Sequence, residues 1–229
     1  MKKKIAIVTG ADKKYFSYLK NLVSSLEKSK TLEICDLCIL LVDEDNKYLS
    51  EIDSLINNKK KASFSLRLFF DDKKNWYKLL TERPFLKDHF PGYEKYIWLD
   101  ADIWINDVKS FHLYEMGAAK NCLTITPQSD RAYFNTAKVD WLFNLPVKVK
   151  TINYKNIGKS VSKKLAKKYA FYSTLNAGAF AISSNQLIWE TLQKNVKLAA
   201  KKGRIFGTDQ VALALTIHED KVPTEFLPA

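Results

Sequence analysis

The chain has 229 residues, 46% hydrophobic and 27% charged, with seven glycines and six prolines. This composition excludes a disordered or collagen-like chain and supplies enough apolar material for a full core, in one domain more readily than two. A net charge of +12 favours anionic partners, whether nucleic acid, acidic lipid or phosphorylated small molecules, without choosing among them.

The start, "MKKKIAIVTGADKK", imitates a signal peptide, but its apolar run is too short and charge resumes at Asp12. Lys4 to Gly10 instead reads as a first buried strand. Tyr15, Phe16, Leu19, Leu22, Val23 and Leu26 follow at spacings of three and four, the pattern of a helix packed on a sheet. "ICDLCILLV" is a second strand and Phe64 to Phe70 a third, with a helix through Tyr48, Ile52, Leu55 and Ile56 between them. Asn75 to about Asp88 is a further helix, its boundary disturbed by Pro84. "KYIWL" is strand four and "CLTIT" strand five.

Alternating strands and helices predict an α/β layered fold with a largely parallel sheet. In such sheets ligands bind beyond the carboxyl ends of the strands, where Asp12 and Asp100 fall. Residues 127 to 172 read as an irregular basic insertion, with a short amphipathic helix in "VSKKLAKKYAFY". From Trp141 to Trp189 there are eight lysines and no acid. Then come a strand in "NAGAFAI", a helix from Gln186 to Ala200, a helix "TDQVALALTIH" with Thr208 as its N-cap, and a last strand in "VPTEFLPA".

Cys35, Cys38 and Cys122 are too few and too odd in number for a disulfide framework, which favours a reducing compartment. Cys35 and Cys38 form a C-x-x-C, but no second pair exists to complete a zinc site. No apolar run reaches the length of a transmembrane helix. The protein is expected to be cytoplasmic, with peripheral contact to an acidic membrane surface as one use for its charge.

The chemistry concentrates in "YIWLDADIW". Read as an extended segment, Asp100 and Asp102 point to one face and Ala101 turns away. Two carboxylates that close repel unless a cation sits between them. Hard oxygen ligands suit Mg2+ or Mn2+, whose remaining positions are filled by substrate phosphates and water. A haloacid-dehalogenase-type phosphatase also uses D-x-D, but expects Thr or Val two residues on, where Trp104 stands. "NYKNIGKS" ends like a phosphate-binding loop, yet Asn153 occupies the position of the required first glycine.

Four segments together resemble family 8 glycosyltransferases, retaining enzymes of the GT-A fold that include glycogenin-like and lipopolysaccharide galactosyl- and glucosyltransferase-like proteins. They are "IVTGADKKYFSYLKNLVSSL", "RPFLKDHFPGYEKYIWLDADIWINDV", "LNAGAFAIS" and "GTDQVALAL", in the family's order. The resemblance implies a mixed, mostly parallel sheet flanked by helices, in one catalytic unit over residues 1–229. It implies transfer of a hexose from a UDP-sugar to a glycan or lipid-linked acceptor, with Mn2+ or Mg2+ as cofactor.

By position, Asp12 matches the acid that meets the nucleotide base, and Lys14 stands where many members carry Asn near the ribose. Arg83 matches an arginine by the donor phosphates and sugar. Asp100 and Asp102 match the metal ligands, and Ala101 a residue by the ribose. Asn176, Ala177 and Gly178 match the sugar pocket, and Asp209 with Gln210 the pair beneath the anomeric carbon. A carboxylate or amide oxygen there would stabilise the charge that develops as the diphosphate leaves.

Family members usually continue past "LP" to a His-Gly-Lys region that supplies a third metal ligand. This sequence stops at Ala229, and His218 does not match that histidine. The expectation is therefore a C-terminally incomplete unit with weak metal and donor binding. A non-catalytic nucleotide-sugar-binding or partner-binding domain is the alternative. The basic segment from Lys148 to Lys168 could meet acidic acceptors or lipid, or simply be a solvated insertion. No motif supports nucleic-acid binding, and none is expected.

Overall fold

The computed structural model describes residues 4–42, 46–56, 62–71, 74–129, 136–202 and 207–228. In chain order the strands and helices are β1 (Ile5–Ala11), α1 (Phe16–Lys28), β2 (Asp36–Leu41), α2 (Asn46–Leu55), β3 (Ala62–Ser65), α3 (Asn75–Glu82), α4 (Leu86–His89) and β4 (Lys95–Leu99). They continue as α5 (Val108–Ala119), β5 (Leu123–Pro127), β6 (Ala137–Leu142), β7 (Leu145–Thr151), α6 (Ile152–Ser160) and α7 (Lys163–Lys168). The last are β8 (Leu175–Ser183), α8 (Gln186–Ala200), α9 (Thr208–Ala214) and β9 (Thr224–Phe226).

The main sheet runs β3-β2-β1-β4-β8-β5-β9. β1, β2, β3 and β4 are parallel neighbours, as are β5 and β9. β8 lies antiparallel between β4 and β5. The fold is thus mixed α/β with a mostly parallel sheet, as the alternation of elements predicts.

Strand residues alternate between two cores, one on each face. Ile5, Ile7, Ile97, Leu99 and Ala181 pack with α1 and α5. Ala6, Val8, Tyr96, Trp98, Phe180 and Ile182 pack with α8 and α9. The antiparallel β8 has a consequence for function. Its amino end, Leu175 to Gly178, lies beside the carboxyl end of β4, with Leu99 paired to Ala179.

Several sequence readings need correction. The third strand is Ala62–Ser65 rather than 64–70. The amides of Phe69 and Phe70 donate to the buried carboxylate of Glu82, at 2.8 and 3.0 Å, and so belong to a side-chain-bound loop. The helix expected from Asn75 to Asp88 breaks at a 3-10 turn, Arg83–Phe85, centred on Pro84, which has no N–H to donate. α5 is a helix that the sequence pattern does not announce. Thr208 does not cap α9. Gly207, at φ +81°, holds the cap position, and Thr208 is the buried first helical residue.

Residues 137–168, read as part of an irregular insertion, carry the β6–β7 hairpin and the helices α6 and α7. Thr151 and Ser162 cap those helices through hydrogen bonds to Tyr154 N and Leu165 N. Cys35 and Cys38 are buried, the first donating to Thr31 O and the second to Tyr93 Oη.

Candidate active site

At the carboxyl ends of β1 and β4 a cavity of about 450 Å³ opens between the loop after β1, α3 and the turn after β4. Asp12, Lys14, Arg83, Asp100, Ala101 and Asp102 all line it. These six residues come from three segments well separated in the sequence, and all border one cavity. Asp12 also does the local work of a turn acid, accepting from Tyr15 N at 3.0 Å and capping the turn Lys13–Tyr15.

The two acids of "DAD" do not share a strand face. β4 stops at Leu99, and Ile103 N donates to Asp100 O at 3.0 Å, closing a tight turn. The turn carries Asp102 round to the cavity, where it is exposed, while Ala101 is buried beneath it. Convergence of the acids comes from this turn and not from the period of a strand.

Asp100 is fixed from several sides. Its N–H donates to Gly178 O at 2.7 Å. Its Oδ1 accepts from Trp98 Nε1 at 2.8 Å and from Arg83 at 2.6 Å. Its Oδ2 lies over Gly178, where an added Cβ would sit 2.9 Å away. Only glycine leaves that oxygen its room. Gly178 N in turn donates to Asn176 Oδ1 at 3.0 Å, which bends the entry of β8 around the acid.

Arg83 is the centre of the arrangement. Its guanidinium is buried over the Trp98 ring at 5.0 Å. It donates to Asp100, to Ala177 O at 2.8 Å and to Asp209. Its buried Nε has no hydrogen-bond partner among the described residues. One side chain thereby ties the loop after α3 to β4, β8 and α9. Asn176, Ala177 and Gly178 reach the site through these bonds and are not on the cavity wall.

Asp209 is buried behind Arg83. Burial pushes its carboxyl above the usual carboxylate range, and the negative Asp100 adds to this. The Arg83 guanidinium and the Gln210 backbone act in the opposite direction. Gln210 is half-buried, with its Oε1 near Gly207. Even with Asp209 protonated, Asp12, Asp100 and Asp102 outnumber Arg83 and Lys14 around the cavity. That excess of acid fits a cation. Asp100 Oδ2 and Asp102 are hard oxygen donors suited to Mg2+ or Mn2+. Among the described residues no third His, Cys, Asp or Glu joins them, so such an ion would complete its shell from a ligand and water. His218 packs instead against Tyr172, with ring centres 4.7 Å apart.

A family profile described as glycosyl transferase family 8 matches residues 6–217. The chain belongs to glycosyl transferase family 8. As a family 8 member it is a glycosyltransferase with the GT-A fold. Solved structures agree in fold. The galactosyltransferase LgtC, in complex with donor and acceptor sugar analogs, has a TM-score of 0.60 at 13% identity, over 96% of this chain and 72% of that one. GlyE of Streptococcus pneumoniae gives 0.60 at 16%, over 99% of this chain and 45% of its own. The bifunctional glycosyltransferase WbbM gives 0.62 at 13%, over 99% and 39%. The chain thus spans less than half of the last two. No sequence match was found among curated proteins.

Several residues that line this cavity in the family 8 chain carry no site signal in the sequence reading: Tyr15, Trp76, Leu79 and Leu80. Nor does Trp98, which holds both Arg83 and Asp100. Spacing ties some of them to residues that do. Trp98 precedes Asp100 by two residues in a strand, and Trp76 and Leu79 precede Arg83 at helical spacings of seven and four.

Proposed function

We propose that the protein transfers a hexose from a UDP-sugar to a glycan or lipid-linked acceptor, with retention of configuration. The observation that carries the reading is the joint placement of Asp12, Arg83, Asp100 and Asp102 on one cavity wall, with Asp209 bonded behind Arg83. A cavity of about 450 Å³ is of the size that takes a small-molecule ligand such as a nucleoside diphosphate. Asp12 suits a base donor group, and Tyr15 and Trp76 offer flat apolar surface for a ring. Lys14 and Arg83 suit phosphate oxygens.

Asp100 and Asp102 would hold Mn2+ or Mg2+. The ion, when bound, supplies positive charge to the departing diphosphate. Arg83 holds Asp100 in place for this role and keeps Asp209 close to it. Asp209 and Gln210 are proposed to face the anomeric carbon and to stabilise the positive charge that develops there. Asn176, Ala177 and Gly178 would border the sugar. An odd count of three cysteines, two of them buried, suits a reducing cytoplasmic setting.

A second reading has one observation in its favour. Asp209 is buried against Arg83 and does not line the cavity. That suits a domain which binds nucleotide sugars without turning them over. Calorimetry of UDP and several UDP-sugars with Mn2+, on wild type and Asp102→Asn, tests the main reading. Metal-dependent binding is expected in wild type and its loss in the variant. Donor hydrolysis or transfer then separates enzyme from binder. Absence of metal-dependent nucleotide binding in wild type would sink both.

A further inference from the structure

The β6–β7 hairpin is a different kind of surface. Every residue from Trp141 to Lys150 is exposed. Trp141 is 61% exposed, Leu145 69% and Phe143 92%. Leu142, Val147 and Val149 are exposed as well, so both faces of the hairpin carry apolar side chains. A hairpin with both faces in water is marginal by itself, and an exposed apolar cluster of this size marks an interaction surface.

The turn sharpens the point. Leu142 pairs with Leu145, so Phe143 and Asn144 form a two-residue loop. Phe143 adopts φ +52°, a conformation that hairpin turns normally give to Gly or Asn. A large aromatic here is strained and wholly exposed. Neither local folding nor solubility accounts for it.

Lysine dominates the segment that carries the hairpin, although Lys150 pairs with Asp140 and Lys168 with Glu219. Lys148, Lys150, Lys155 and Lys159 are exposed, as are the four lysines of α7, Lys163, Lys164, Lys167 and Lys168. No acid occurs between Trp141 and Trp189. Within the hairpin, Asp140 is paired with Lys150 at 2.5 Å. The hairpin base packs on this basic region: Val149 and Thr151 share a cavity of about 230 Å³ with Tyr154, Lys167 and Phe171.

We infer that the hairpin tip inserts into the interface of a bilayer rich in acidic phospholipid, with the surrounding lysines on the headgroups. Trp, Phe and Leu beside lysines are the residues that partition at that depth. A second copy of the chain is a poorer occupant, because it would set lysine against lysine. The inference is independent of the donor reaction and holds whether or not the cavity is catalytic.

The test is co-sedimentation of the full chain with vesicles of phosphatidylcholine alone, and of phosphatidylcholine with about one third phosphatidylglycerol. Binding to the acidic vesicles is expected to be stronger by about tenfold or more, and to weaken with salt. The pair Trp141→Ser and Phe143→Gly should lower it by about tenfold or more without lowering Tm, since both side chains are exposed and glycine relieves the turn. Wild-type tryptophan emission should shift to the blue on acidic vesicles, and Trp141→Phe should lose that shift. Equal binding to both vesicle types overturns the inference. So does a tip variant that binds like wild type, or a tip-dependent dimer with no vesicle binding.

Discussion

Arg83 shows how much of the site depends on one side chain. It is buried, and it meets two carboxylates from different parts of the chain, Asp100 and Asp209. Removing the cation leaves both acids facing each other in a confined space. Arg83→Met is therefore expected to cost about 3–5 kcal/mol, read from urea unfolding, besides abolishing donor binding. Asp209→Asn should behave differently. Burial raises the Asp209 pKa in the folded state, so folding favours its protonated form. That contribution is complete below the unfolded value of about 4 and is lost as pH rises through the folded value. Wild type should be best placed relative to Asp209→Asn in acid and lose ground as pH rises. Thermal unfolding of both across pH 3 to about 7 measures this. A gap that grows in favour of wild type with pH would show that Arg83, not burial, governs the acid.

Elements differ in how well the sequence announces them. β4 and α8 were read at their observed bounds, because a short apolar run before "DAD" and a clean three-four spacing leave little choice. The turn at Asp100 was not legible, since strand and turn place two acids equally well on paper. The third strand failed for a longer-range reason. Phe69 and Phe70 give up ladder bonds to Glu82, more than ten residues downstream, and no local pattern reveals that. The resemblance puts Arg83 near a donor, but its bonds to Asp209 and Ala177 span 126 and 94 residues and could only come from the fold. Glu82 also meets His89 Nε2 at 3.0 Å. Glu82→Ala would leave two amides and an imidazole without their acceptor, so a loss of about 2–4 kcal/mol is expected in urea unfolding. The loop at 69–71 should become the first segment to exchange amide hydrogens.

At the scale of the molecule, the two sheet cores and the smaller core around Ile157, Ala166 and Tyr169 hold no residue of the β6–β7 hairpin. Cooperative unfolding should thus be set by the sheet and its helices, with the hairpin a passenger. Its ends permit a direct test. Ala137 pairs with Thr151, so their backbones lie about 5 Å apart, within reach of a two-residue turn. Replacing residues 138–150 by Asn-Gly should close the gap while keeping Thr151 as the cap of α6. Tm is expected to stay within about 3 °C of wild type, since the side chains lost are exposed apart from the half-buried Asp140, and each kcal/mol moves a chain of this size by about that much. UDP binding with Mn2+ should be unchanged, because no hairpin residue lines the cavity proposed for the donor. Binding to acidic vesicles should vanish. A large fall in Tm would mean that the hairpin buttresses the α6–α7 region, and the exposed aromatic tip would then need a structural explanation.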